Sequence, residues 1–196
     1  MEPAQDRRSV KTRAALHAAF RALLFERGYD ALQVRDVSEA ANVGRSTFYE
    51  HFTSKADLLR ESVAGPFGHL AAMVAPSASP QSIVPVLRHF REHQQMARVL
   101  LAAPTRGLLS QALASLLVAR LGQENRDAAG LPLEMTARMI ADAQLALVEM
   151  WIQGRPACAV DAAAAGLHRS SVALAAALTA ALGAPAEAVA PASCPR

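Results

Sequence analysis

The residues from Asn42 to Lys55, NVGRSTFYEHFTSK, gather polar donors and aromatics into one short run. Arg45, Ser46, Thr47 and Tyr49 are side chains that donate hydrogen bonds to phosphate oxygens and to base edges. Phe48, Tyr49, His51 and Phe52 fall within five residues of a chain that is only 5% aromatic. On a helix advancing about 100° per residue, Phe48 and Phe52 share one face, flanked by Arg45 and His51. Ser46, Tyr49 and Glu50 point away, with Thr47 at the margin. Two turns of helix do not hold themselves up in water, so the phenylalanines read as an anchor to the first helix. The donor face is left for a partner rich in acceptors.

A second constellation lies downstream. His89-Phe90-Arg91-Glu92-His93 has the H-x-x-E-H spacing of an inverted zinc-protease motif. Histidines at i and i+4 share a helix face and can hold Zn²⁺. Leu87 and Phe90 make the neighbourhood an ordinary amphipathic helix, and no distal Glu pattern completes a metal set. The pair therefore reads as a helix face or as polar groups of a pocket. The sequence has no Gly-rich phosphate loop, nucleophile elbow or paired-carboxylate motif. No catalytic residue, metal or cofactor is assigned, and the protein is not expected to be an enzyme.

Composition narrows the frame in which these residues sit. The 196 residues are 52% hydrophobic, much of it Ala and Leu, which is ample for a packed core and favours helix over sheet. The net charge is only +3, and residues 1–60 hold ten Lys/Arg against eight Asp/Glu. Any nucleic-acid reading must therefore rest on local placement rather than bulk charge. Cys158 and Cys194 are too far apart in sequence to suggest a disulfide framework, so a reducing compartment is expected. No signal-peptide core and no membrane-length apolar run is present, which predicts a soluble, cytoplasmic protein.

The elements that must position the donor face follow from periodicity. Leu16, Phe20, Leu23 and Leu24 fall at i, i+4, i+7 and i+8 within a helix expected over 9–27, with Gly28 placed to end it and residues 1–8 loose. Val34, Val37, Ala40 and Ala41 mark a second short helix, and Asn42 suits a left-handed turn. Ser54 with Asp57 starts a fourth helix, expected to break or bend at Gly65-Pro66. Four longer helices are expected over 82–103, 106–122, 132–153 and 159–182, and a disordered tail over 184–196. The fold class is all-α: a three-helix unit over 9–52 followed by a helical bundle over 53–183.

A short helix, a tight turn and a second short helix make a helix-turn-helix. The run VRDVSEAANVGRSTFYEHFTSKADLL resembles the DNA-binding domain of the tetracycline-repressor-like (TetR) family. The matching positions are Val37, Ala41, Val43, Thr47, Phe48, Tyr49, His51, Phe52, Lys55 and Leu58. The resemblance implies a homodimeric regulator, usually a repressor, on palindromic double-stranded DNA. It places Arg45, Ser46 and Thr47 at bases or phosphates, and Tyr49, His51 and Lys55 at phosphates. Gln33 and Val34 would open the second helix near the backbone. Three residues depart from the family pattern: Gln33 stands for a capping Thr or Ser, Gly44 for a capping Ser, and Glu50 puts an acid on the exposed face.

The resemblance also implies a ligand pocket in the larger part. Phe90, Met96, Met139, Gln144 and Trp151 are its expected lining, on helices 82–103 and 132–153, for a mainly apolar small molecule. Leu167, Leu174, Leu178 and Leu182 form a stripe among small residues. The expected homodimer seam is a four-helix bundle of 132–153 and 159–182 from each chain, with Leu174 and Leu178 buried in it.

Overall fold

The computed structural model describes residues 3–124, 130–154 and 157–180, and within them the chain forms nine α-helices and no strand. The expected tail over 184–196, together with Leu182 and Cys194, lies outside the described residues.

Helix α1 spans Pro3–Ala31 and starts well before the predicted Ser9. Its apolar face is the expected one: Leu16, Phe20 and Leu24 are almost fully buried. Gly28 interrupts the helical backbone at φ 74°, ψ 169°, a region open to glycine and strained for other residues. Helix α2 (Val34–Ala40) is set by Val37, which is fully buried, and by an Asp36 carboxylate accepting from the Gln33 amide at 2.9 Å. Asn42 takes φ 53° in the turn to α3 (Arg45–His51).

Helix α4 (Lys55–Ala72) begins at a cap in which Ser54 accepts from the Asp57 amide while the Asp57 carboxylate accepts from the Thr53 amide. Of the break or bend expected at Gly65-Pro66, the break does not occur: Pro66 stands inside the helix. An interior proline costs about 3 kcal/mol. Leu58, Leu59, Val63, Phe67, Leu70 and Ala71 are all buried along this helix, and that burial outweighs the loss.

A 3-10 turn, Pro80–Ile83, leads into α5 (Val84–Glu92) and α6 (Gln94–Leu101). These were expected as one helix. The backbone leaves the helical region at His93 (φ −109°, ψ 35°), so the two short helices bury separate apolar faces, Leu87 on one and Leu101 on the other. Then follow α7 (Thr105–Glu124), α8 (Leu133–Gln153) and α9 (Val160–Thr179). Gly154 ends α8 in the left-handed conformation at φ 70°, ψ 22°.

Helices α4, α7, α8 and α9 form the bundle, and α1 packs on α2, α4 and α6. Leu174 and Leu178, expected in a seam between chains, are half-buried against the chain's own core, with the rest of each side chain open to solvent. The faces left open are Met135, Met139 and Met150 on α8, and Ala173, Ala176 and Ala177 on α9. No single described helix is long and apolar enough to cross a membrane.

Candidate nucleic-acid interface

The side chains of α3 divide as their spacing requires. Phe48 is 0% and Phe52 2% exposed, with ring centroids 5.7 Å apart. Phe52 meets α1 directly: the His17 ring stands edge-on to it at 5.4 Å, and the Arg13 guanidinium lies 4.9 Å from its centroid. Behind that contact, Glu61 of α4 accepts from Arg13 and from His17 Nε2, the latter at 2.9 Å. Burial alone would raise the Glu61 carboxyl; the hydrogen bonds from Arg13 and His17 outweigh it and hold the group below the usual carboxylate range. The anchor of α3 is therefore clamped between α1 and α4.

The opposite face is open. Tyr49 is 48% exposed and stands edge-on to Phe48, centroids 5.5 Å apart. The Arg45 guanidinium lies 5.7 Å from the Tyr49 centroid and donates to its hydroxyl at 3.5 Å, so the two form one displayed unit. Ser46 and Glu50 are exposed beside them, and Thr47 and His51 are half-exposed at the margins. The same surface continues onto α2 through exposed Gln33, half-buried Val34 and exposed Arg35. Arg35, which sequence reasoning passed over, pairs with Glu39 at 3.7 Å across one turn. Two solvated side chains on one turn hold each other weakly, so the guanidinium can exchange partners.

Gly44 caps α3 with an extended backbone (φ −67°, ψ 150°) that any residue adopts. A β-carbon there would meet the Ser46 and Thr47 hydroxyls at 3.5 and 3.8 Å, ordinary contact, so nothing steric demands glycine.

Lys55, expected at a phosphate, has partners within the chain itself. Its ammonium donates to the carbonyls of Tyr29 and Leu32, both at 2.9 Å, and sits 4.3 Å from the Tyr29 ring centroid. Two of its three donors are spent joining the start of α4 to the end of α1.

Residues 15–62, which hold this whole arrangement, match the family described as "Bacterial regulatory proteins, tetR family". A TetR transcriptional regulator from Streptococcus agalactiae 2603V superposes with a TM-score of 0.55 at 28% identity, covering 86% of this chain and 97% of that one. Residues 15–62 are thus a tetR-family DNA-binding domain. A TetR-family regulator from Streptomyces coelicolor A3 shares the fold, with a TM-score of 0.60 at 20% identity over 85% of this chain and 95% of that chain. The uncharacterized HTH-type transcriptional regulator YxbF of Bacillus subtilis (strain 168) is 29% identical over 99 residues, 50% of this chain. The match spans only 25% of that relative's length. These relatives are regulators of transcription, and this chain carries the DNA-binding helix-turn-helix on α2 and α3.

Among the residues expected to line a pocket, the structure brings two together. Phe90 and Met96 face a cavity of about 480 Å³ bounded by α1, α4, α5, α6, α7 and α8. Met139 is 45% exposed on the outer face of α8. Gln144 is buried away from the cavity, where its amide donates to the Leu70 carbonyl at 3.0 Å and to Ser171 at 2.8 Å, tying α4, α8 and α9. Trp151 is held under the Arg91 guanidinium, 3.7 Å from its centroid, and its indole donates to the Cys158 carbonyl at 3.0 Å. Trp151 and the Gln144 amide nitrogen are thus bonded within the chain, while the buried Gln144 Oε1 has no hydrogen-bond partner among the described residues.

The cavity instead takes Phe20, Leu24 and Phe25 from α1, which periodicity had assigned wholly to the DNA-binding unit. Their excess over what the core of a three-helix unit needs is the signal. His89 and His93 also line it.

Proposed function

We propose that the protein is a homodimer that represses transcription from a palindromic operator and releases it on binding a small, mainly apolar ligand. On this reading residues 9–52 read DNA in the cytoplasm, and residues 53–183 form the ligand-binding and dimerisation part. The observation that carries the reading is the division of α3, with Phe48 and Phe52 locked in the core and Arg45, Ser46 and Tyr49 displayed. A recognition helix enters the major groove with its N-terminal residues at base edges. Arg45, Ser46 and Thr47 stand at that end, and Tyr49 and His51 face the flanking phosphates.

Dimerisation is supported by the outer faces of α8 and α9. Met135, Met139 and Met150 are 54%, 45% and 54% exposed along one stripe of α8, and α9 offers alanines beside it. Flexible methionines pack into the shallow surface that alanines leave, and pairing both helices with their copies gives a four-helix bundle. Release is supported by the position of the cavity, whose walls include α1, which packs His17 and Arg13 on Phe52, and α4, whose Glu61 holds both of those side chains. A ligand between them would act by moving α4 against α1. A hundredfold loss of operator affinity requires about 2.7 kcal/mol of coupling.

Footprinting on the DNA upstream of the protein's own gene tests the proposal. The expected pattern is two protected half-sites related by a dyad, with centres about one helical turn, 10–10.5 base pairs, or a multiple of it apart. A single asymmetric half-site, or no protection, overturns it.

A further inference from the structure

The cavity wall is apolar except at four residues: Arg21, Ser62, His89 and His93. The Ser62 hydroxyl already donates to the Leu58 carbonyl at 2.8 Å and is bonded to His17 Nδ1 at 2.9 Å. That leaves one arginine and two histidines as the polar groups available to an occupant, and no carboxylate on the wall. All three are exposed, so they sit at the mouth, while Phe20, Leu24, Val63 and Phe67 make a buried floor. Arg21 makes no ion pair among the described residues.

A solvated guanidinium at the edge of an apolar chamber favours an anionic group there, and the floor favours a hydrocarbon body. Arginine binds a carboxylate or phosphate in a forked geometry, and two imidazoles can add donors to the same oxygens. A volume of about 480 Å³ falls in the range of small-molecule pockets, about 300–1,000 Å³. We infer that the cavity takes an anionic amphiphile, its apolar body on the α1–α4 floor and its acid head held by Arg21, His89 and His93. The inference rests on the ligand-release reading above and names the chemical class of that ligand.

The competing occupant is a metal ion. His89, Glu92 and His93 place one ligand atom each within 4.8 Å of one another, and the two imidazole centroids are 4.4 Å apart. Glu92 is not part of the cavity wall, and Arg21 on that wall disfavours a cation. The anion is therefore the better fit.

Calorimetric titration of the full-length protein with decanoate, 1-decanol and decyltrimethylammonium separates head from tail. Decanoate is expected to bind at least tenfold more tightly than the alcohol, and the cation most weakly. Arg21→Ala and His89→Gln/His93→Gln should each remove most of the decanoate advantage and leave decanol within about twofold. Equal binding of the three heads overturns the inference, as does an unchanged decanoate advantage in both variants. Stoichiometric Zn²⁺ binding lost with the histidines, together with no head preference, assigns the mouth to a metal instead. If decanoate binds with the expected preference but leaves operator affinity unchanged, the anion site stands and the release reading fails. If no decyl compound binds, both fall.

Discussion

Lys55 meets Tyr29 twice: its ammonium donates to the Tyr29 carbonyl at 2.9 Å and lies 4.3 Å from the centroid of the same residue's ring. With the further bond to Leu32, this one side chain bridges the carbonyls at the end of α1, where Tyr29 also accepts from the Leu32 amide at 3.3 Å. Lys55→Met keeps the aliphatic stem and removes the donors. It should lower stability by about 1–3 kcal/mol, chiefly through the Leu32 carbonyl left without its donor, while changing the salt slope of DNA binding less than Arg45→Ala does. Thermal denaturation and a salt titration read the two effects separately. Unchanged stability with a flattened salt slope would return Lys55 to the role of a free phosphate contact.

Arg45 and Tyr49 share a contact yet should fail differently. Arg45→Ala should cost about 1–3 kcal/mol and relax preference at one base pair per half-site. Tyr49→Phe keeps the ring beneath the guanidinium and removes only the hydroxyl, so it should weaken all DNA sequences to a similar, smaller degree. Binding to a set of single-base operator variants checks this. Identical selectivity profiles for Arg45→Ala and the parent protein would exclude base reading by Arg45.

The clamp at Glu61 has a pH dependence whose sign follows from its lowered pKa. A carboxylate depressed in the folded state contributes stability above its unfolded value, about 4.3. The contribution is lost as pH falls through the lower folded value. Glu61→Gln should therefore destabilise at pH 7, and the gap to the parent protein should be smaller at pH 4, below the unfolded value. Because the carboxylate is 38% exposed, solvent screening keeps the effect near about 0.2–1 kcal/mol. Urea midpoints at the two pH values measure it, and a gap that widens in acid would contradict the clamp.

The methionine stripe gives a test of assembly. Met139→Glu places a charge on the outer face of α8 without touching the chain's own core, since Met139 is 45% exposed. The variant should fold, sediment as a monomer and lose tight operator binding, because one recognition helix forfeits the second half-site. An unaltered dimer would move the seam elsewhere.

The DNA-reading unit was legible in sequence because its signals are local. Asn42 in a left-handed turn, Phe48 and Phe52 four residues apart, and Ser54 before Asp57 each report geometry within one turn of chain. The bundle was less legible, because its outcomes depend on what lies across from each residue. Pro66 reads as a break until the buried side chains around it are counted. Gln144 and Trp151 read as pocket residues until their hydrogen bonds to Leu70, Ser171 and Cys158 are seen. Lys55 looks like a surface charge because nothing in its neighbourhood of sequence announces the carbonyls of Tyr29 and Leu32. The α1 wall of the cavity stayed hidden for the same reason, since Phe25 follows the apolar pattern only loosely and is 49% exposed.

The central claim is that the displayed face of α3 reads a DNA sequence. Fluorescence anisotropy at about 0.15 M salt, with the footprinted duplex competed against the same duplex scrambled, tests it most directly. At least about a thousandfold preference for the footprinted sequence is expected. That preference should drop by roughly ten- to a hundredfold in Arg45→Ala, while the mutant's affinity for scrambled DNA changes far less. Equal affinity for the two duplexes, or a preference that Arg45→Ala leaves intact, would contradict it.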